Sequence, residues 1–261
     1  MVDLSLIRAP LFVPAHRPYR FAKAAASGAD GLILDLEDAV PTADKDTARA
    51  ALSLDFTDLP VLVRVNARDT IWHDADLQAV KALRPAGVIL PKTSSAADVA
   101  AVRQATGLPV LALIESAAGL ASARSIAAGG AARLVFGSID FCADLGAAHE
   151  RDVLLPARFE LVLASRLAGI AAPIDGVTVT LDDPAVCEDD ARHARKLGMT
   201  GKLCIHPRQI DPVRRAFLPT EAEIAWAGRV LASGDGAVSV DGAMVDEPVR
   251  IRARAILAAA G

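Results

Sequence analysis

The amino-acid sequence predicts an α/β chain folded as a (β/α)8 TIM barrel with a C-terminal helical and lid extension. Three observations carry this. Eight short, continuously apolar runs alternate with Ala-rich, charged segments of helical period within about 210 residues, the count and size of a closed barrel. The composition is 52% hydrophobic but only 4% aromatic, so one large core must be built from Ala, Val, Leu and Ile. No Gly-rich GxGxxG turn follows the first run, which weighs against a doubly wound dinucleotide fold.

The apolar runs cover 11–15, 31–38, 61–66, 87–93, 110–116, 133–141, 174–179 and 201–207. They do not alternate with polar residues, as expected of parallel strands covered on both faces. Helical segments fall between them at 19–27, 43–52, 74–83, 96–105 and 188–197. Gly28, Gly107 and Gly198 supply left-handed stops. Beyond the eighth run the pattern changes: 211–233 reads as helix, 234–242 as a turn, a short strand and a second turn, and 247–260 as a final helix. The expected division is a catalytic barrel over 1–210 and an extension over 211–261. That extension either caps its own barrel or, as favoured here, packs on a neighbouring subunit.

Charge excludes several classes. Lys and Arg number 28 against 32 Asp and Glu, a net of −4, and no basic run offers the stripe that nucleic acid requires. Aliphatic content excludes disorder. No stretch of eighteen apolar residues spans a membrane, and Asp3 stands where a signal peptide carries positive charge, so a cytoplasmic location is expected. Cys142, Cys187 and Cys204 form no CxxC pair and read as small buried hydrophobes rather than zinc ligands or disulfides.

Barrel enzymes place their chemistry at the C-terminal strand ends. Here those ends read His16-Arg17, Asp35 to Asp38 with Glu37, Arg64 to Asn66, Lys92, Glu115, Asp140 and His206. Clustered carboxylates repel unless a cation neutralises them, and Mg2+ suits a few oxygen ligands. Glu115 and Asp140, 25 residues apart, fall one β/α unit from each other on adjacent strand ends. Two carboxylates leave most of an octahedral shell for water and a chelating 2-oxo or 2-hydroxy acid. Arg64 can hold a substrate carboxylate or carbonyl oxygen in bidentate fashion.

The residues 11–18 (LFVPAHRP), 34–40 (LDLEDAV) with Lys45 and Arg49, and 63–66 (VRVN) resemble successive motifs of the citrate lyase β-subunit-like family. So do 90–92 (LPK), 113–116 (LIES), 136–141 (FGSIDF) with 144–146 (DLG), and 204–207 (CIHP). This family belongs to the aldolase/citrate lyase superfamily and includes malyl-CoA and citramalyl-CoA lyases. The resemblance implies Mg2+ on Glu115 and Asp140, and substrate contact by Arg64 and Glu115. It further implies water-mediated support from Glu37 and Asp38, beside Lys92, and acyl-CoA substrates of the citryl-, malyl- or citramalyl-CoA type. Residues 240–248 (VDGAMVDEP) resemble the family's lid, whose Asp enters an adjacent subunit's site. Asp246 is then a catalytic proton shuttle between the acetyl-CoA methyl and its enolate, in a homotrimer or a hexamer; otherwise it caps the last helix.

Arg17, Arg20 and Lys23 follow the first strand, where the family meets CoA, or form a solvated face. His206 reads as a structural or pantetheine-lining residue. His73, His149 and His193 have no metal spacing and are expected at the surface. Ser116 lacks a nucleophile elbow. Ala117, Ala118 and Ile139 are expected to tune pocket size. The expected activity is a lyase releasing acetyl-CoA and a 2-oxo acid, or the reverse condensation. Alternatives are a metal-dependent pyruvate-type aldolase on free acids, a Schiff-base aldolase using Lys92, and a subunit of a citrate lyase complex.

Overall fold

The computed structural model describes residues 2–234 and 236–260. The chain divides into two compact units, Met1–Arg214 and Arg215–Gly261. In the first, strands β1 (Pro10–Pro14), β2 (Gly31–Asp35), β3 (Val61–Arg64) and β4 (Gly87–Leu90) are followed by β5 (Val110–Ile114), β6 (Arg133–Phe136), β7 (Ala171–Asp175) and β8 (Gly201–Lys202). All neighbours are parallel and adjacent in chain order. The ring closes through Lys202 N–H to Arg8 O at 2.8 Å, Cys204 N–H to Pro10 O and Phe12 N–H to Cys204 O, both at 2.9 Å.

The barrel interior takes side chains from successive strands: Ile33, Leu62, Ile89, Leu111, Val135 and Ile174. The intervening residues, such as Leu32, Val63, Val88 and Leu134, are buried on the outer face. Burial on both faces is why the strands read as unbroken apolar runs. Leu4 and Ile7 complete the interior cluster. Their segment is fastened by Arg133, fully buried at the start of β6, which donates to Leu4 O and Ile7 O at 2.8 Å each and to Ala172 O at 2.7 Å. Burial without a carboxylate in contact pulls its guanidinium down to about 10.

Several elements depart from the sequence reading. The sixth run is not one strand over 133–141: β6 ends at Phe136, and a helix, Ser138–Leu145, begins after Gly137. Asp140 therefore lies in the first turn of a helix, not at a strand end. The apolar stretch allowed either geometry; burial of Phe141 and Cys142 with exposure of Asp144 and Leu145 follows a helical face. The seventh strand begins three residues earlier, at Ala171, with a register shift against β6. The eighth is only two residues long. The longest helix, Arg151–Ala168, lies outside the helical segments expected from the sequence; Leu154, Ala157, Leu161 and Ala164 form its buried stripe.

In the second unit, helices Glu221–Ala232 and Glu247–Ala260 flank an antiparallel hairpin of β9 (Val238–Val240) and β10 (Ala243–Val245). Asp241-Gly242, with φ of 52 and 79, makes its two-residue turn. The expected short strand is thus half of a hairpin. The helical stretch read over 211–233 is two helices, Ile210–Phe217 and Glu221–Ala232, the second opened by a Thr220–Glu223 capping box. Ala227, Val230, Val245, Ala253 and Ile256 form this unit's core.

Candidate active site

Asp35 and Arg64 are register partners at the ends of β2 and β3. The pairing turns that adjacency into a bidentate ion pair: Arg64 Nε meets Asp35 Oδ1, and Nη2 meets Oδ2, both at 2.7 Å. Nη1 reaches Glu37 Oε2 at 2.9 Å, and the Phe12 ring lies 4.8 Å from the guanidinium carbon. Burial opposes the Arg64 charge, but Asp35 and Glu37 outweigh it and hold the group above its ordinary value. Glu37 is itself pushed up to about 6, chiefly by burial, with Arg64 pulling against it.

Across the rim, Lys92 follows β4 with a left-handed backbone, φ 49. That conformation aims its N–H at Glu115 Oε1, 2.7 Å away, while its Nζ reaches Glu37 Oε1 at 3.2 Å. One residue thus links two buried carboxylates. Burial works to neutralise the ammonium, but Glu37 overrides it and raises the lysine. A lysine held protonated is a poor Schiff-base nucleophile.

Glu115, directly after β5, is 3% exposed. Burial, then the charge of Glu37, then that of Asp140, drive it up to about 8, against the Lys92 N–H. Gly137 gives it room: a Cβ there would stand 2.4 Å from Glu115 Cβ and 2.5 Å from Oε2. The next helix then brings Asp140, half-buried, to the same rim at a positive helix end. Asp144 on that helix accepts the Ala117 N–H at 2.7 Å, and Ser138 Oγ lies 2.9 Å from His149 Nε2.

These groups converge on a cleft of about 220 Å³. Its polar side comprises Asp35, Asp38, Arg64, Glu115, Ser138 and Asp140; Phe12, Ile139, Val177 and Leu203 form an apolar side. Among the described residues no three His, Cys, Asp or Glu groups form a metal cage. The donors instead fit a hard cation that keeps water and substrate oxygens. Glu115 and Asp140 offer two carboxylates to such a cation, and a divalent ion between them would relieve their mutual repulsion.

Other expected residues are placed as follows. Arg17 Nε donates to His16 Nε2 at 3.0 Å, and Lys23 is exposed on the helix Phe21–Ala25. His206 opens a 3-10 turn, its Nδ1 accepting the Arg208 N–H at 3.1 Å. Asp246 Oδ1 accepts the Val249 N–H at 3.4 Å at the start of the last helix. Two expectations are corrected. Ala117 and Ala118 are exposed and do not line the cleft, because the chain turns outward into a helix at Ser116. His73 is buried, not superficial, its Nδ1 2.9 Å from Asn66 O, and His149 and His193 are half-buried within the electrostatic reach of Arg158, Asp175 and Asp190. The three cysteines are buried and unpaired. The sequence reading missed Asp35 as the partner of Arg64; the acidic LDLED run was its only trace.

A closed parallel barrel with an arginine and paired carboxylates on its C-terminal rim defines a barrel enzyme. Residues 8–207 match the HpcH/HpaI aldolase/citrate lyase family. The chain is 38% identical to a citrate lyase subunit beta-like protein of Deinococcus radiodurans, over 97% of both chains. It is 35% identical to a (3S)-malyl-CoA thioesterase of Cereibacter sphaeroides, over 97% of this chain and 94% of that one. A crystal structure of CitE from Mycobacterium tuberculosis with magnesium, acetoacetate and coenzyme A superposes with a TM-score of 0.89 at 39% identity, covering 99% of this chain and 100% of that one. The chain belongs to the HpcH/HpaI aldolase/citrate lyase family, a family of lyases.

Proposed function

We propose that the protein is a Mg2+-dependent carbon–carbon lyase acting on a 3-hydroxyacyl-CoA of the citryl-, malyl- or citramalyl-CoA type, releasing acetyl-CoA and a 2-oxo acid, or catalysing the reverse condensation. The observation that carries this reading is the convergence of Glu115, Asp140 and Arg64 on one cleft. Likeness to CitE solved with magnesium and coenzyme A, and with magnesium and pyruvate, supports it.

Glu115 and Asp140 would hold the ion, which when bound supplies Lewis-acid stabilisation to the oxygen that gains charge. Arg64, already oriented by Asp35 and Glu37, binds the carboxylate or oxo group of the acid and fixes its angle. Glu37 and Lys92 hold Arg64 and Glu115 in register. Arg17, Lys23 and His206 are assigned to the CoA side. The lid Asp246 of a neighbouring subunit delivers a proton to the acetyl-CoA methylene during cleavage and removes it during condensation. The working form is a homo-oligomer, a trimer or hexamer, in which the second unit packs on that neighbour.

A panel of CoA thioesters tests this. Turnover is expected to disappear with EDTA and in Glu115→Ala, while Asp246→Asn keeps Mg2+ and 2-oxo-acid binding but loses carbon–carbon chemistry. Full activity after chelation overturns the reading.

A further inference from the structure

Lys45 belongs to neither the cleft nor the groups assigned above, yet it is among the most constrained cations in the chain. It opens the helix Lys45–Ala50 and is 7% exposed. Its Nζ donates to Leu36 O at 2.7 Å, Glu37 O at 2.8 Å and Asn66 Oδ1 at 2.6 Å. An ammonium has three N–H bonds, and all three are used. The Trp72 ring lies on another side, 5.3 Å from Nζ. No lone pair or open approach is left for chemistry, so whatever Lys45 does, it does through its neighbours.

Those neighbours are the segments after β2 and β3. The residues following Asp35 are gripped from two directions. Their amides point inward: Glu37 N–H to Asp35 Oδ1 at 3.0 Å and Ala39 N–H to Asp35 Oδ2 at 3.2 Å. Their carbonyls, at Leu36 and Glu37, point outward to Lys45. The same Asp35 oxygens take Arg64, and the Glu37 side chain takes Arg64 Nη1 and Lys92 Nζ. A shift in the backbone at 36–37 therefore moves both carboxylates that aim Arg64.

The third acceptor is fixed independently. Asn66 donates its N–H and Nδ2 to Asp76 Oδ2 at 2.9 and 2.7 Å, and Asp76 Oδ1 takes Arg49 Nε at 2.7 Å. Lys45, Asn66, Asp76 and Arg49 form a circuit that begins and ends on one helix. Asn66 cannot rotate its amide without breaking bonds on both sides. Lys45 is thus anchored to the segment after β3 while it holds the loop after β2.

We propose that Lys45 is a positioning residue for the 2-oxo-acid end of the site, its three-way grip on Leu36, Glu37 and Asn66 setting the orientation of Arg64. This rests on the functional reading above, because it takes Arg64 as the group that binds the acid. It goes further in assigning that orientation to a residue outside the cleft. Glu115 and Asp140 follow β5 and β6 and Lys45 touches neither, so its loss acts directly on the acid end and reaches Glu115 only at second hand, through Glu37 and Lys92.

The test compares Lys45→Met with the parent protein, measuring Mg2+ binding and then pyruvate binding in saturating Mg2+ by calorimetry, with thermal unfolding alongside. Pyruvate binding is expected to weaken about 10-fold and kcat/KM for the preferred CoA thioester to fall about 100-fold, with Mg2+ affinity within about threefold, as displacement of a binding group predicts. A purely structural lysine lowers the unfolding temperature alone; pyruvate affinity and kcat/KM of the folded variant within about twofold of the parent overturn the inference. If Lys45→Met does not fold, Asn66→Ala leaves the ammonium two carbonyls, and about threefold weaker pyruvate binding is expected; unchanged binding overturns the proposal. A parent that binds Mg2+ but neither pyruvate nor oxaloacetate overturns the functional reading and this inference with it. A parent that binds pyruvate beside variants that bind it equally overturns this inference alone.

Discussion

Glu115 is buried almost completely, and its position depends on what is missing at Gly137. A methyl group there would sit inside contact distance of both Glu115 Cβ and Oε2. The backbone at 137, φ −90 and ψ 69, does not itself demand glycine, so the requirement is one of space. Gly137→Ala is expected to displace the Glu115 carboxylate and weaken Mg2+ binding at least tenfold, with stability falling by about 1–3 kcal/mol, the usual cost of overpacking. Calorimetric titration and urea unfolding read the two effects, and unaltered Mg2+ affinity would show that Glu115 is free to move. At this scale the sequence was informative wherever a polar residue closes an apolar run, as Arg64 and Glu115 do. It was silent where a role comes from register or backbone angle. The acidic run at 34–38 does not tell which of its carboxylates will face Arg64 across β2 and β3, and nothing in LPK tells that Lys92 will adopt φ 49.

Beside the cleft, the elements β7, β8 and the helix Arg151–Ala168 are joined by buried charge. Asp175 takes Arg158 Nε and Lys202 Nζ, each at 2.8 Å, and Lys202 also reaches Asp190 at 2.9 Å. Thr178 Oγ1 donates to Asp190 at 2.7 Å. Burial pushes the Asp190 carboxyl up, but Lys202 and Thr178 prevail and bring it to about 2; Asp175 is lowered too, by Lys202 and Arg158 against its burial. Carboxyls depressed in the folded state stabilise it above their unfolded value near 3.8 and lose that contribution as pH falls toward about 2. Asp190 alone should contribute about 2 kcal/mol at neutral pH. Urea unfolding of Asp190→Asn is expected to show a flatter acid limb between about pH 4 and pH 2 than the parent. An identical acid limb removes Asp190 from the network's energetics. The strands were legible as elements because burial on both faces leaves an apolar run, whereas their ends were not. Gly137 stops β6 five residues short of the run's end, and Phe141 belongs to a helix that the same hydrophobicity serves equally well.

At the level of the whole molecule, the barrel and the unit over Arg215–Gly261 have separate cores, and the hairpin before Asp246 presents Met244 at 71% exposure. In this chain Asp246 also caps the helix Glu247–Ala260, so the capping role and the proton-shuttle role compete as explanations for the residue. Loss of activity in Asp246→Ala does not separate them, because loss of the cap also disturbs the lid, whereas Asn keeps the cap. Mixing separates them. On the proposed arrangement each site combines the barrel of one subunit with the lid of the next, a head-to-tail interface closed by rotation. Glu115→Gln spoils a barrel and leaves its lid sound; Asp246→Asn does the reverse. Each homo-oligomer is expected to be inactive. Unfolded together and refolded as random mixtures, about one site in four pairs a sound barrel with a sound lid, so about a quarter of parental activity should return. That recovery depends on transfer of Asp246 between chains. If each lid served its own barrel, every site would keep one lesion and the mixture would stay inactive. If Asp246 were only a cap, its single variant would retain carbon–carbon chemistry in proportion to its folded fraction, measured by circular dichroism on the same samples.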